Sequence, residues 1–303
     1  MKIIKSLSDI DIKSDTVLTV GSFDGIHLGH QQILEELKHQ ASNCECIPTL
    51  VTFHPHPKQI LGNRVELLTP LQEKLQILEK LGLSMVIVIP FTEQFSKTDY
   101  QDFVQEILIK KIRMKKMVVG YDHAFGRNRE GDPQHLRELG KKLGFSLTVI
   151  EPYIIGDELI SSSRIREFLH LTQMEKVREL LGRPYSLMGI VEKGENRGAE
   201  LGFPTANIRP IQENKLIPQR GVYAVDIMLA GKEYKGMMNI GHRPTFNFDP
   251  LTLEVHIFNF SGLIYRSTIE IMFKKYIREE KRFSTAQELK EQILKDKEIC
   301  LRI

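Results

Sequence analysis

Two histidines, His27 and His30, stand three positions apart where a short apolar stretch gives way to a helical pattern. Glycines before and between them let a phosphate approach the backbone: Gly21, Gly25 and Gly29. A helix that begins here supplies free backbone N–H groups and the positive end of its dipole. Both imidazoles are then able to donate hydrogen bonds to a phosphate while a leaving pyrophosphate gains charge. We expect a nucleotide site with His27 and His30 as catalytic residues, but the pattern alone fits a helix cap and a packed side chain equally well.

A second chemical pattern lies further along the chain, where Thr205 and Asn207 follow Pro204. The proline fixes an extended backbone, so side chains two positions apart face the same side. A hydroxyl and an amide oxygen on one side suit a hard cation such as Mg²⁺. Three regularly spaced glycines precede this segment, without the Lys-Ser/Thr ending of a Walker loop: Gly194, Gly198 and Gly202. The spacing therefore makes Thr205 and Asn207 candidate metal ligands, but a glycine-rich segment of this kind is more often an ordinary turn.

The elements that position the histidines alternate between short apolar runs and helical patterns, which is typical of a parallel sheet covered by helices. The predicted strands are 17–20, 47–53, 85–89, 117–119 and 147–150. Thr69, followed by Pro70 and Gln72, predicts a capped helix start, and Asp132 and Gly144 predict the two ends of another helix. We therefore expect a Rossmann-like α/β domain over residues 1–183.

After residue 183, apolar and polar residues alternate with a period of two, which favours an antiparallel sheet. Leu253, Val255 and Ile257 share one face of a strand, which leaves Glu254 and His256 on the other. The sequence predicts a small β-barrel domain over residues 184–303, closed by a C-terminal helix that Ser284 caps. Two domains agree with 303 residues, because single cores usually stop growing at roughly 250.

The segment GSFDGIHLGH at 21–30 resembles the HxGH nucleotidyltransferase superfamily, and ISSSRIR at 160–166 is similar to its ISSTxIR motif. In that superfamily the histidines contact the α-phosphate of the nucleotide, and the second motif holds the β- and γ-phosphates. Ser163 replaces the usual threonine and keeps the hydroxyl. The resemblance implies that ATP is bound by Gly21, Ser22, Phe23, His27, His30, Ser162, Ser163 and Arg166.

Two further blocks, FHPHP at 53–57 and VGYDHAFGR at 119–127, resemble the FMN adenylyltransferase half of bacterial FAD synthetases. The second block departs from the family pattern at His123 and Ala124. The resemblance implies a flavin site formed by Phe53, Pro55, His56, Pro57, Asp122 and Phe125. The FMN phosphate is already an anion at neutral pH, so positioning and charge neutralisation are expected to carry this reaction, with Mg²⁺ on the triphosphate.

The segment GENRGAELGFPTAN at 194–207 resembles the riboflavin kinase signature, and blocks at 221–224, 238–245 and 253–258 follow in the family's order. The resemblance implies that Thr205 and Asn207 hold Mg²⁺ and ATP. It also implies an ATP site formed by Gly194, Gly198, Gly202, Pro204, Thr205 and Asn207. The 5′-hydroxyl of riboflavin must lose a proton, so a carboxylate base is needed, and we expect Glu254 in that role.

Net charge, apolar stretches and cysteine spacing limit the partners and the location that we expect for this protein. A formal net charge of +3 is too small an excess to indicate nucleic-acid binding. The longest apolar stretch, 85–91, is far short of the roughly 20 residues that cross a bilayer, so we expect no membrane partner. The three cysteines form no even framework and no CxxC pair, which favours free thiols and a cytoplasmic location.

Together, these resemblances imply a bifunctional enzyme that phosphorylates riboflavin to FMN and adenylylates FMN to FAD, with ATP and Mg²⁺ in both steps. Two alternatives remain open. The first domain could transfer nucleotides to another phosphorylated or carboxylated acceptor. Alternatively, only one half is active and the other is a flavin- or nucleic-acid-binding sensor. Homo-oligomerisation is also left open.

Overall fold

The computed structural model describes residues 1–62, 64–126, 130–193, 202–242 and 251–303, and it divides the chain into two units, Met1–Ser162 and Ser163–Ile303. The first unit contains six parallel strands: β1 (Lys2–Ile4), β2 (Thr16–Val20), β3 (Ile47–His54), β4 (Met85–Pro90), β5 (Met114–Gly120) and β6 (Ser146–Ile150). Their spatial order is β1-β4-β3-β2-β5-β6. The strands β3 and β4 follow on one side of β2, whereas β5 and β6 follow on its other side. The strand order therefore reverses at β2.

Helices cover both faces of this sheet, because alternate residues of the buried strands enter different cores. Val17 packs in one hydrophobic cluster, whereas Leu18 and Val20 pack in the other. The helices are α1 (Leu28–Ser42), α2 (Pro57–Ile60), α3 (Leu71–Lys80), α4 (Glu93–Ser96), α5 (Tyr100–Asp102) and α6 (Pro133–Leu143), with a 3-10 turn at Leu7–Asp9 and a π-helical segment at Phe103–Ile109. A hairpin of β7 (Ile154–Ile155) and β8 (Glu158–Leu159) follows β6.

The structure confirms the five predicted strands of this unit and adds β1 at the edge of the sheet. Asp132 caps α6 by accepting two backbone N–H groups, and Gly144 ends it in the left-handed region at φ +78°. The prediction for Thr69 is wrong, since Pro70 occupies the cap position of α3 and no side chain caps the helix. The hydroxyl of Thr69 is instead engaged by Gly25, far away in sequence.

The second unit contains a closed antiparallel barrel, as predicted. Its strands are β9 (Tyr185–Glu192), β10 (Ala206–Pro210), β11 (Gly221–Leu229), β12 (Lys232–His242), β13 (Leu251–Ile257) and β14 (Thr268–Arg278). They close in the order β10-β13-β12-β11-β14-β9. Side chains such as Leu187, Ile240 and Val255 are fully buried and alternate with outward-facing residues, as expected for a small filled barrel.

The described part of the second unit also contains the helices α7 (Ser162–His170), which begins at the last residue of the first unit, α8 (Met174–Leu181) and α9 (Ala286–Arg302). Cys300 of α9 packs in a cluster with Met237 and Phe258 of the barrel. Arg278 adds a two-pronged ion pair to Asp296, which is 2% exposed. Thr285 caps α9, one residue after the predicted Ser284.

Two further expectations concern the chain as a whole. Within the described ranges, no helix has both the length and the apolar character needed to span a membrane. The structure pairs Cys44 with Cys46 in a disulfide across Glu45, whose positive φ turns the chain back, so the expectation of free thiols is wrong for this pair. Cys300 is a free, buried thiol.

Candidate active sites

A cavity of about 500 Å³ lies in the first unit, at the carboxyl ends of its central strands. Its walls include Gly21 after β2, Phe53 near the end of β3, Phe91 after β4 and Gly120 at the end of β5. Open parallel sheets bind ligands at this edge, where the strand order reverses. The reversal lies at β2, so the cavity has both the position and the size of a small-molecule site.

Most of the residues predicted to bind ATP or flavin in the first of the two reactions' sites, the adenylyltransferase site, line this one cavity. The predicted residues that line it are Gly21, Ser22, Phe23, His30, Phe53, His56, Pro57, Asp122 and Phe125. His123 and Ala124, where the sequence departs from the family pattern, line it as well. His27 and Pro55 do not; Pro55 follows a cis peptide bond, and His27 lies against His30.

The two histidines form one structural unit at the start of α1. Their rings stack with centroids 3.7 Å apart, and Nδ1 of His27 accepts the backbone N–H of His30 at 3.3 Å. This hydrogen bond occupies Nδ1, so a neutral His27 carries its proton on Nε2. His30 lines the cavity and lies 4.6 Å from the ring of Phe23. The helix cap and the stack therefore fix the pair relative to the helix N-terminus.

Buried polar groups hold the loop that precedes the histidines. The carboxylate of Asp24 accepts the backbone N–H groups of Leu68 and Thr69 at 3.1 and 2.9 Å. The hydroxyl of Thr69 in turn accepts the N–H of Gly25 at 2.7 Å. Ser162, predicted to bind phosphate, donates its hydroxyl to the backbone oxygen of Asp24 at 2.7 Å. Ser162 thus contacts the loop that borders the cavity.

The same loop adopts conformations that require outside support. Phe23 and Ile26 have positive φ angles of 47° and 42°, and Gly25 lies at 91°. Positive φ is costly for a bulky or β-branched residue, so it persists only when surrounding contacts over-determine it. Burial of both side chains supplies that constraint, with Phe23 at 4% exposure and Ile26 at 0%. The loop is held in a shape that it would not adopt alone.

Lys74 of α3 is a buried cation beneath this loop. It is 5% exposed, and its Nζ donates to the backbone oxygen of Ser22. Burial lowers the pKa of Lys74 to about 8, against the opposing effect of the Asp24 carboxylate. The sequence analysis missed Lys74, Asp24 and Thr69, because no motif marks their convergence.

Aromatic rings form the apolar side of the cavity. Phe53 packs against Phe91, Phe95 and Phe103 with centroid distances of 5.5, 6.0 and 6.4 Å. Phe103 also meets Phe125 edge to face at 5.4 Å. The sequence analysis predicted only Phe53 and Phe125 of this group. The density of phenylalanine between residues 91 and 103 is the signal that could have identified the others.

Ser163 and Arg166 lie in α7, within the second unit. Their neighbour Arg164 pairs with Glu167 at 2.6 Å and lies over the ring of Phe168 at 4.3 Å from its centroid. The phosphate contacts expected of Ser163 and Arg166 stay a prediction.

The second predicted site lies on the outer face of the barrel. Thr205 donates its hydroxyl to Glu254 at 3.3 Å, and Asn207 stands directly opposite Glu254 in the β10–β13 pair. Asn239 of β12 stands opposite Glu254 from the other side. Directly opposite residues of antiparallel strands share a face, so the three side chains form one polar row. Asn239 was missed by the sequence analysis.

Gly202 precedes this row in the left-handed region, at φ +85°, a conformation that favours glycine. Pro204 follows it and accepts a hydrogen bond from His256 through its backbone oxygen. Gly194 and Gly198, together with positions 243–245 of the predicted kinase block, lie outside the described residues. The structure therefore describes only the Gly202–Asn207 end of the predicted loop.

The donor set at Thr205 and Asn207 fits Mg²⁺. Hydroxyl and amide oxygens are hard ligands, and Glu254 adds negative charge within hydrogen-bonding distance of Thr205. Among the described residues, no group of three or more His, Cys, Asp or Glu side chains could hold a metal ion by itself. Such a sparse set suits Mg²⁺, which usually keeps several waters and substrate phosphates in its coordination shell.

Comparison with known proteins matches both units. A family model described as FAD synthetase matches residues 9–164, and one described as riboflavin kinase matches residues 181–303. A bifunctional riboflavin kinase/FMN adenylyltransferase from Bacillus subtilis is 36% identical, over 96% of this chain and 93% of its own. A second one, from Buchnera aphidicola, is 37% identical over 99% and 97% of the two chains.

The chain belongs to the bifunctional riboflavin kinase/FMN adenylyltransferase family. As a member of this family, it combines two ATP-using activities that have riboflavin and FMN as substrates. Among solved structures, a protein described as a macrolide-efflux protein from Streptococcus pneumoniae has the same fold, with a TM-score of 0.92 and 28% identity over 100% of both chains. The family thus accounts for both predicted halves, in the predicted order.

Proposed function

We propose that the cavity of the first unit is the site where FMN is adenylylated. The nucleotide end is formed by Gly21, Ser22, Phe23, His27 and His30, with Ser162, Ser163 and Arg166. The flavin end is formed by Phe53, Pro55, His56, Pro57, Asp122 and Phe125. The support is that nine of the first-unit residues in these two groups line one cavity of about 500 Å³, at the edge where parallel sheets bind ligands.

The proposed reaction at this site depends on positioning. An FMN phosphate oxygen attacks the α-phosphate of ATP and pyrophosphate leaves, so the protein has to neutralise charge rather than remove a proton. His30 lines the cavity and His27 stacks against it, and we assign to both imidazoles the role of hydrogen-bond donors to the reacting phosphates. The N-terminus of α1 adds its backbone N–H groups.

We assign riboflavin phosphorylation to the polar row on the barrel. Glu254 removes the proton of the riboflavin 5′-hydroxyl as that oxygen attacks the γ-phosphate of ATP. Thr205 and Asn207 hold Mg²⁺, and Gly194, Gly198, Gly202 and Pro204 border the ATP phosphates. When bound, Mg²⁺ neutralises charge on the transferred phosphate. The hydrogen bond between Thr205 and Glu254 supports the assignment, because it puts the base next to a metal ligand.

The proposed domain limits are 1–183 for the adenylyltransferase and 184–303 for the kinase. The two family matches end at 164 and begin at 181, so the connecting residues belong to neither match. We also propose a cytoplasmic location, because both reactions consume ATP. No nucleic-acid substrate is assigned, in agreement with the small net charge.

A product assay tests the proposal. The protein is incubated with riboflavin, ATP and Mg²⁺, and the flavins are separated by chromatography. FMN should appear first and FAD should follow. Accumulation of FMN without FAD would refute the first site, whereas FAD formed only from added FMN would refute the second. Either result would instead favour the alternative in which one half is a binding module.

A further inference from the structure

We propose that His256 is a positioning residue for the kinase site, because it fixes the segment that carries Thr205. This inference rests on the proposed function of Thr205 and Glu254. No role follows for His256 from its sequence position alone, since a histidine on a strand is usually a packed side chain. In the structure, a ring nitrogen of His256 binds the backbone oxygen of Pro204, a residue that has no backbone N–H group.

The hydrogen bond has an unambiguous direction. Nδ1 of His256 lies 2.7 Å from the backbone oxygen of Pro204. A carbonyl oxygen can only accept, so His256 carries a proton on Nδ1 and donates it. His256 is 7% exposed, so the donor side of this part-buried hydrogen bond is shielded from water.

The hydrogen bond of His256 lies just beyond the last backbone pair between β10 and β13. In the β10–β13 pair, Asn207 stands opposite Glu254 and Ala206 opposite Val255, and the pairing ends at Ala206. Pro204 has no N–H group and is unable to extend a backbone ladder. The side chain of His256, one residue past Val255, the last residue of β13 that pairs with β10, provides the missing anchor through the Pro204 oxygen.

Neighbouring side chains hold the imidazole in this orientation. The ring of His256 meets Phe203 and Phe258 edge to face, with centroids 5.7 and 5.5 Å apart. Phe203, at 7% exposure, belongs to the same segment as Pro204. The imidazole therefore anchors this segment both by packing and by its hydrogen bond.

The hydrogen bond between His256 and Pro204 also affects how the proposed metal ligand and the proposed base are positioned. Thr205 is bonded directly to Pro204, and its hydroxyl lies 3.3 Å from the Glu254 carboxylate. Glu254 and His256 are two positions apart on one strand and share its outer face. One strand thus supplies the base and also fixes the segment that brings Thr205 to that base. Loss of the His256 anchor should loosen Thr205 without removing any group that contacts substrate.

Three variants of the full-length protein distinguish a role of His256 in positioning Thr205 from a role in packing alone. His256→Asn keeps an N–H donor close to the position of Nδ1, His256→Gln moves the donor one bond further out, and His256→Leu removes it. We expect His256→Leu and His256→Gln to lower kcat/KM for MgATP in riboflavin phosphorylation about tenfold, the size expected for one hydrogen bond within a protein. His256→Asn should stay within about twofold of wild type, and FAD formation from FMN should be unchanged in all three.

Hydrogen exchange gives a readout that needs neither substrate nor metal. Exchange of the Thr205 and Ala206 amides, followed by mass spectrometry, should be about tenfold faster in His256→Leu and His256→Gln than in His256→Asn. Equal exchange in all variants would overturn the proposal, and so would equal kinase loss in His256→Asn and His256→Leu. If wild type makes no FMN, the proposed function fails, while the exchange comparison still decides whether His256 anchors the segment.

Discussion

The hydroxyl of Thr69 accepts the backbone N–H of Gly25 at a distance of 2.7 Å, and the two residues are 44 positions apart in the chain. Thr69 also donates its own backbone N–H to the Asp24 carboxylate. Both contacts are buried, and both end on the loop that precedes His27 and His30. Thr69 therefore couples the start of α3 to the proposed nucleotide site.

Replacing Thr69 tests this coupling. Thr69→Val keeps the shape of the side chain but removes the oxygen that accepts the Gly25 N–H, a loss of about 1–3 kcal/mol for a buried donor. We expect KM for ATP in FAD formation to rise about tenfold, with riboflavin phosphorylation unchanged. Thr69→Ser keeps the hydroxyl and should remain close to wild type. Equal KM values for Thr69→Val and Thr69→Ser would show that the hydroxyl does not shape the site.

A pair of glycines tests the packing beside the cavity. Gly126 and Gly144 have nearly the same φ, at 77° and 78°. An added Cβ at Gly126 would lie 2.6 Å from Cβ of Tyr100, whereas at Gly144 it would meet nothing within 4 Å. Alanine should cost about 1 kcal/mol at either position because of the positive φ. At Gly126 the collision adds about 1–3 kcal/mol.

Denaturant unfolding of the two alanine variants measures this difference. Gly126→Ala should lower the unfolding free energy of the first unit clearly more than Gly144→Ala does. It should also weaken FMN binding, because Gly126 lines the cavity. Identical unfolding curves would contradict the described contact between Gly126 and Tyr100.

The lowered pKa of Lys74 predicts an unusual dependence of the unfolding free energy on pH. Its pKa falls from 10.5, the ordinary value for a lysine, to about 8 in the folded protein, chiefly because of burial. Between these values the unfolded chain binds more protons than the folded one, so stability rises with pH. The cost of the buried charge, about 3 kcal/mol, is present below pH 8 and disappears as the pH rises toward 10.5.

Comparison with Lys74→Met isolates this effect. The unfolding free energy of wild type minus that of Lys74→Met should increase from neutral pH to about pH 10. Lys110 is a matched control, since it is an exposed lysine that follows the π-helical segment and pairs with Glu106. Lys110→Met should show no such increase. A flat difference for Lys74→Met would mean that Lys74 titrates as an exposed lysine.

The fold was largely predictable because its strands are local patterns. Buried runs such as 85–89 and the alternation around Glu254 depend on the burial of neighbouring residues, and both were confirmed. The edge strand β1 was missed because only Ile4 of its three residues is buried, which leaves almost no pattern. Thr69 was misinterpreted for a different reason: its local sequence is that of a helix cap, but a tertiary contact uses its hydroxyl.

The site was predictable only where motifs mark it. The resemblance predicted site roles for His30 and Asp122, which line the cavity, and for Thr205, which contacts Glu254. It did not identify Lys74 or His256. Each of these acts through the backbone oxygen of another residue, and such contacts depend on distant segments folding together. Residue types and spacing do not encode them.

A complementation assay tests the central claim that one chain carries two separate sites. His30→Ala removes a proposed phosphate donor and should lower FAD formation about 100-fold or more while FMN still forms. Glu254→Gln removes the proposed base and should abolish riboflavin phosphorylation while FMN is still converted to FAD. Each variant alone, given riboflavin, ATP and Mg²⁺, should make little FAD. A mixture of the two should restore FAD, measured by chromatography; a mixture that makes none, or a Glu254→Gln variant equally unable to convert FMN, would contradict the account.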